Sequence, residues 1–398
     1  MAIVQHLVVE EFGRHLGKHQ ERLQVTDVKT GQKLAEAPLL HLESVLIASR
    51  GVSVSTDAIA ACTERGIPIN FLNNHGEPIA ALYSAGLTGT VLTRRAQLRA
   101  LEDGRGRAAA IAFCTGKLRN QCNLLRYMAK SRKETAPEAY EALRRLSSEV
   151  LDRVAEIEGL GGAGRPRGGP EPGPAREAGD DLGPAGPLAG ALQPADELGS
   201  GLRLAARLGQ GPEPPGGRAV EDIRFELLSA EGRGAQKYWE GIRLLLREDY
   251  DWPGRRTHGA YDPVNSALNY GYGVLYGQVE RAIVLAGLDP YAGFLHVDRS
   301  GKPSLVLDLI EEFRAAAVDR AVLSLVNKGG ALALDEKGRL DASTRKMLAS
   351  KVWERLDAPT RYEGKQQTLG NVLQAQARRL ATFLRGDRAA YEPFVVNW

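Results

Sequence analysis

Residues 159–217 are expected not to fold, and this divides the chain. Seventeen of these fifty-nine positions are Gly and ten are Pro, with no aromatic residue among them. Such a segment cannot bury enough apolar surface to offset the entropy of ordering it, so it reads as a disordered linker or loop. A short Leu202–Leu208 helix is the one element it could hold. A formal Gly-x-Gly-x-x-Gly match at Gly159, Gly161 and Gly164 follows a helical pattern rather than a strand, which excludes a dinucleotide site. Any fold must therefore be built from the sequence on either side and close across this gap.

Those flanks, within 398 residues, are long enough for two or three domains. A hydrophobic content of 43% and a charged content of 25% are ordinary for a soluble globular protein. There is no apolar run of about 18 residues to span a membrane. The start, Met1-Ala-Ile-Val-Gln-His6, lacks the basic and apolar regions of a secretory signal. Cys62, Cys114 and Cys122 form no Cys-x-x-Cys pair. This argues for a reducing cytoplasm and against structural zinc or a disulfide framework.

Hydrophobic periodicity changes once, near residue 90. Residues 1–88 read as a small β-rich domain: Ile3–Val9, Arg22–Val28, Ser44–Ser49, Val52–Ser55, Ile67–Leu72 and Ile79–Tyr83 are short β-branched or apolar runs. Lys29-Thr30-Gly31-Gln32 is a hairpin turn, and Ser55 can cap one helix that Gly66 ends. His41 and His75 have no acidic neighbours in sequence and read as structural. From about Thr93 the spacing is helical, and residues 89–398 read as a larger α-helical domain interrupted by the Gly/Pro segment. Two amphipathic helices are expected between Thr344 and Arg385, after which Tyr391 and Phe394 are placed to pack back on the core. The fold class is α+β. Between Arg94 and Lys133 stand eleven Lys or Arg and two acids, a net +9 that suits contact with a phosphate backbone as well as a solvated helical face.

The stretch Tyr291–Arg314 carries the chemistry. His296 lies in a short apolar run, Ser300–Pro303 turns, and Val306, Leu309, Ile310 and Phe313 mark the inward face of a helix. Asp308 and Glu311 stand one turn apart on that helix. A histidine with two carboxylates could hold a divalent cation, Mg2+ or Mn2+ rather than Zn2+. On spacing alone, a packed histidine beside a solvated acidic face fits as well.

His296 with Ser304-Leu-Val-Leu-Asp308-Leu-Ile-Glu311-Glu-Phe-Arg314, together with Gln236-Lys-Tyr-Trp-Glu240, resembles the CRISPR-associated spacer integrase family. The likeness runs from the first strand to the last residues, broken by the Gly/Pro insertion. It implies a catalytic metal held by Glu240, His296 and Glu311, with Asp308 as a further ligand or as the group that orients His296. It also implies double-stranded DNA as substrate, the fragment and the CRISPR repeat, joined when a 3′-hydroxyl attacks a phosphodiester. A homodimer and a small ferredoxin-like partner are implied as well. Arg255, Arg256, His258 and Arg314 could hold phosphates. Asn265 and Tyr270 match a helix motif of the family (Asp-Pro-x-Asn…Tyr-Gly-Tyr). Other readings are a structure-specific metal nuclease without integration and a non-catalytic DNA-binding scaffold.

Overall fold

The computed structural model describes residues 4–73, 76–83, 91–161, 219–247, 250–257, 260–297 and 299–398. The Gly/Pro segment from residue 162 onward, His75 and His258 lie outside the described residues.

The N-terminal domain is β-rich. In chain order it holds β1 (His6–Val9), β2 (Arg14–His19), β3 (Arg22–Asp27), β4 (Lys33–Pro38), β5 (Ser44–Ile47), β6 (Ser53–Val54), α1 (Thr56–Glu64), β7 (Ile69–Leu72) and β8 (Pro78–Leu82). One sheet has the order β1-β5-β7-β8, parallel except for the antiparallel last strand; the other has the order β4-β3-β2-β6. The β3–β4 turn forms because the Asp27 carboxylate accepts the amides of Lys29 and Thr30, each at 2.9 Å. Ser55 caps α1 by accepting from the Ala58 amide. Leu16, Leu23, Val25, Val45, Ile47, Ala58 and Ile69 fill the core between these elements. Strand β2 was not expected: Arg14-His-Leu-Gly-Lys-His19 buries only Leu16, and its pairing with β3 and β6 makes it a strand.

Helices dominate the rest: α2 (Val91–Ala100), α3 (Gly104–Ala129), α4 (Pro137–Leu160), α5 (Arg224–Leu245), α6 (Pro263–Leu285), α7 (Ser304–Leu309), α8 (Arg320–Asn327), α9 (Ala342–Leu356) and α10 (Leu369–Arg385). One departure from an all-helical domain is the hairpin β9 (Pro359–Tyr362)–β10 (Lys365–Thr368), turned by Glu363 and Gly364 at positive φ. As expected, the C-terminal segment packs inward: Phe394 is buried and stacks on Phe313 with ring centroids 5.2 Å apart. Among the described residues no helix is long and apolar enough to cross a membrane.

Two glycines set the distance between α3 and α5. A Cβ on Gly234 would come within 2.7 Å of Leu118, and one on Gly241 within 2.7 Å of Leu125. Seven residues apart, the two lie two turns along one face, so the backbones meet closely over that length. The contact brings Lys117, next to Leu118, against Glu231, three residues before Gly234.

Candidate metal centre

The His296 loop is folded onto the start of α7. Ser304 Oγ accepts from the Gly293 amide (2.8 Å) and donates to the Tyr291 carbonyl (2.5 Å). Any side chain at Gly293 would collide with Ser304 at 2.7 Å. One turn later Asp308, wholly buried, reaches under the loop. Its Oδ2 accepts the amides of Phe294 (2.6 Å) and Leu295 (3.0 Å), and its Oδ1 accepts the His296 amide (3.0 Å). The same Oδ1 lies 2.7 Å from His296 Nδ1. A carboxylate only accepts, so Nδ1 carries the proton and the lone pair of Nε2 is left to bind a ligand. Asp308 is thus engaged in orienting His296, the geometry in which a carboxylate fixes a metal-binding imidazole.

Glu311 follows in a 3₁₀ turn, Ile310–Glu312, and is 5% exposed. Lys117 Nζ stands 2.8 Å from Glu311 Oε2 and 2.6 Å from Glu231 Oε1; Arg314 Nη1 is 3.5 Å from Glu311 Oε1. Burial would raise the Glu311 carboxyl, but Arg314 and Lys117, with His296, outweigh it and hold it at about 2. Burial likewise works against the Lys117 charge, yet Glu231 and Glu311 push its pKa upward. Lys117 therefore joins two carboxylates, from α5 and from the turn after α7, and His296, on the loop before α7, stands near enough to act on Glu311 electrostatically.

Glu240 does not join them. It lies nine residues beyond Glu231 on the same helix, about 13 Å along the axis and half a turn around it. There it is exposed and pairs with Lys237 at 3.0 Å. The acid that meets Glu311 through Lys117 is Glu231. The sequence carried a signal for it: Glu231 shares a helix face with the buried Leu227, Gly234 and Tyr238, and an acid in an apolar stripe needs a reason to be there. The resemblance of Gln236-Lys-Tyr-Trp-Glu240 points to Glu240 instead. Tyr238 is buried and Trp239 partly so, but on an α-helix neither turns the next residue inward.

Among the described residues no three His, Cys, Asp or Glu side chains already surround one point as metal ligands. The residues nevertheless suit a hard cation. Glu311 Oε2 is buried and faces a single charged donor, the Lys117 ammonium at 2.8 Å. Glu231, Glu311 and His296 Nε2 supply the oxygen-rich set that Mg2+ or Mn2+ prefers.

Arg255 is held rather than loose. It donates to Asn265 Oδ1 (3.1 Å) and Asn269 Oδ1 (2.8 Å), and its guanidinium lies over the rings of Trp239 and Tyr272. Arg256 is exposed, its amide on Asn265 Oδ1. Asn265 is itself the knot of this turn, bonded to Asp262 and Gly254. Tyr270 donates to Glu10 of the β-domain. Arg314 stacks on Tyr272 at 4.7 Å beside Glu311. The basic stretch 94–133 separates: Lys117 points into the centre, Arg105 and Arg119 pair with Asp103 and Glu158, and Arg94, Arg95 and Arg99 are exposed on α2.

The family model for CRISPR associated protein Cas1 matches residues 7–165 and 218–354, leaving out residues 1–6, 166–217 and 355–398. A CRISPR-associated endonuclease Cas1 of Archaeoglobus fulgidus is 33% identical over 403 residues, covering 98% of this chain and 99% of its own. Among solved structures, a casposase bound to integration product superposes with a TM-score of 0.70 at 20% identity, over 98% of this chain and 93% of that one. A Cas6-RT-Cas1–Cas2 complex gives a TM-score of 0.65 at 18% identity, covering 99% of this chain and 37% of that one. With a model match over most of its length and a full-length relative at one-third identity, the chain belongs to the CRISPR-associated Cas1 family.

Proposed function

We propose that the protein is a metal-dependent DNA integrase and endonuclease that inserts spacer DNA into a CRISPR array. The observation that carries this is that Glu231 and Glu311 meet on Lys117 while His296, its Nδ1 held by Asp308, acts electrostatically on Glu311, within a chain similar to CRISPR-associated endonucleases and, in fold, to a casposase bound to integration product. Glu231, His296 and Glu311 would hold Mg2+ or Mn2+. When bound, the cation neutralises charge on a phosphodiester and lowers the pKa of the attacking 3′-hydroxyl. Asp308 keeps the proton of His296 on Nδ1, and the apolar packing of α7 excludes water from behind the ligands. Arg314 and Arg255 present guanidinium groups on the Tyr272 face, where they can meet phosphate oxygens. Attack by water in place of the 3′-hydroxyl gives the nuclease reaction.

The test mixes a DNA fragment bearing free 3′-hydroxyls with a repeat-containing plasmid. Glu231→Ala and His296→Ala should reduce covalent joining to background in Mg2+ or Mn2+ while fragment binding, which rests on phosphate contacts, persists. Glu240→Ala should join at the wild-type rate. Full joining by Glu231→Ala would sink this reading.

Double-stranded DNA, a second copy of the chain and a small ferredoxin-like Cas2 partner complete the proposed assembly; the solved Cas6-RT-Cas1–Cas2 complex supports the last. Exposed Phe12 and Val28, at one end of the β2–β3 pair, suit a dimer contact through the β-domain. Phe12→Glu is expected to shift the sedimentation coefficient from dimer towards monomer at micromolar concentration; a wild-type protein that sediments as a monomer contradicts the assembly.

A further inference from the structure

Lys117 lies between the two carboxylates of the centre. Its ammonium contacts one oxygen of Glu231 (2.6 Å) and one of Glu311 (2.8 Å), and its side chain is 17% exposed. It ties α3 to α5 and to the turn after α7. A divalent cation bound to these two carboxylates would sit about 2.0–2.2 Å from their oxygens. Ion and ammonium drawn to the same two atoms either overlap or face each other as like charges within about 5 Å, and burial strengthens that repulsion. They cannot both keep those contacts.

The surroundings let one leave and the other enter. The backbone at Lys117 is fixed, because a Cβ on the preceding Gly116 would stand 2.7 Å from Pro393 and 3.2 Å from Glu312. The four-carbon stem of the lysine can still swing. Arg314 remains on the other oxygen of Glu311. Glu311 Oε2 is met by the Lys117 ammonium at 2.8 Å, so the lysine balances its charge in the metal-free protein.

We propose that Lys117 is a resident counter-ion of the centre: it holds Glu231 and Glu311 together in the metal-free protein, and a divalent cation binds by displacing it. This rests on the metal-centre reading above. Two consequences follow. Lysine sets the cation affinity by competing for the carboxylates, and the metal-free fold loses its neutralising charge if the lysine is removed.

Calorimetric titration of the full-length protein with Mn2+, without DNA, tests this in wild type, Lys117→Met and Glu231→Gln. Lys117→Met should bind Mn2+ at least about tenfold more tightly than wild type, the expected scale for removing a neighbouring positive charge. Its melting temperature should be lower in EDTA and rise more on adding Mn2+. If Lys117→Met binds no tighter than wild type while Glu231→Gln loses binding, the metal centre stands and the counter-ion role is overturned. If no Mn2+ binding depends on Glu231, both ideas fall. Should Lys117→Met not fold, wild-type protein decides. Amine-specific labelling read by mass spectrometry should modify Lys117 faster in Mn2+ than in EDTA, with exposed lysines as reference, and an unchanged rate overturns the proposal.

Discussion

Asp308 accepts four hydrogen bonds, three from successive amides and one from His296 Nδ1, so both its oxygens are committed to the loop that carries the histidine. Asp308→Asn keeps the shape but turns an NH2 towards donors. Either His296 loses the acceptor of its Nδ1 and of its amide, or the amides of Phe294 and Leu295 are orphaned and the loop that carries His296 is loosened. A 10–100-fold loss of Mn2+ affinity is expected, the usual cost of removing such a support, with a stability loss of about 1–3 kcal/mol in denaturant melts. Wild-type affinity in Asp308→Asn would show that the hydrogen bond does not orient the ligand. His296, Asp308 and Glu311 were legible in sequence because they share one local stretch whose helical period places them. Glu231 showed only as an acid in an apolar stripe, because the role proposed for it depends on a contact between helices more than a hundred residues apart in sequence, made close by Gly234 and Gly241. The identity of the third proposed ligand is tertiary information.

At the scale of elements, the helix expected from Val306, Leu309, Ile310 and Phe313 is not a regular one, and the segment from Ser304 to Asn327 changes pitch twice. An α-helical turn and a half gives way to the 3₁₀ turn Ile310–Glu312, then to a π-helical stretch at Ala315–Asp319, before α8 resumes. Val306, Leu309, Ile310 and Phe313 are all buried as the period requires; what periodicity could not show is that the acids between and after them are buried too, each with its own partners. Glu312 accepts from Tyr391, Gln376 and the Phe394 amide, and Asp319 from Tyr238 and Tyr272. Changes of helical pitch often mark such functional segments. Burial raises the Asp319 carboxyl from its ordinary 3.8 to about 6, against the two tyrosine hydroxyls and Arg255 and Arg314, which favour the charged form. A raised carboxyl binds its proton more tightly in the folded state. Its contribution to stability is complete below pH 3.8 and is lost as the pH rises through 6. The difference in unfolding free energy between Asp319→Asn and wild type should therefore move in the variant's favour between pH 4 and 6.5, by about 2–3 kcal/mol. Urea melts at a series of pH values measure it, and a difference that stays flat with pH shows that Asp319 does not titrate there. The strands β2 and β10 escaped the sequence for a similar reason: each has few buried side chains and is made a strand by its partner.

At the scale of the whole molecule, the division made by the Gly/Pro segment becomes a statement about how the site is assembled. Lys117 comes before the segment; Glu231, His296 and Glu311 come after it. The helices on its two sides, α4 and α5, pair Glu156 with Arg233 and Glu149 with Lys237, so the order of contacts along one helix reverses along the other. The two are antiparallel, and the end of α4 at Leu160 therefore lies at the same end of the pair as the start of α5 at Arg224. Neighbouring antiparallel helices need only a short connection, typically 2–8 residues. The family model matches the chain up to residue 165 and from residue 218, skipping what lies between. Replacing residues 166–217 with a Gly/Ser linker of about eight residues should therefore leave the melting temperature within a few degrees of wild type. A shorter loop is slightly easier to close, but closure entropy changes only by roughly 1–2 kcal/mol over such a difference in length. Plasmid joining should persist in the same variant, because no ligand of the proposed centre lies in the deleted stretch and the Gly234 and Gly241 contacts that bring Glu231 to Lys117 are untouched. Limited proteolysis of the full-length protein should cut first within 162–217 and leave two fragments that remain associated through α3, α4 and α5. Loss of folding on deletion, or a protease that prefers any other site, would mean that the segment is part of the packed structure and that the two halves do not meet unaided.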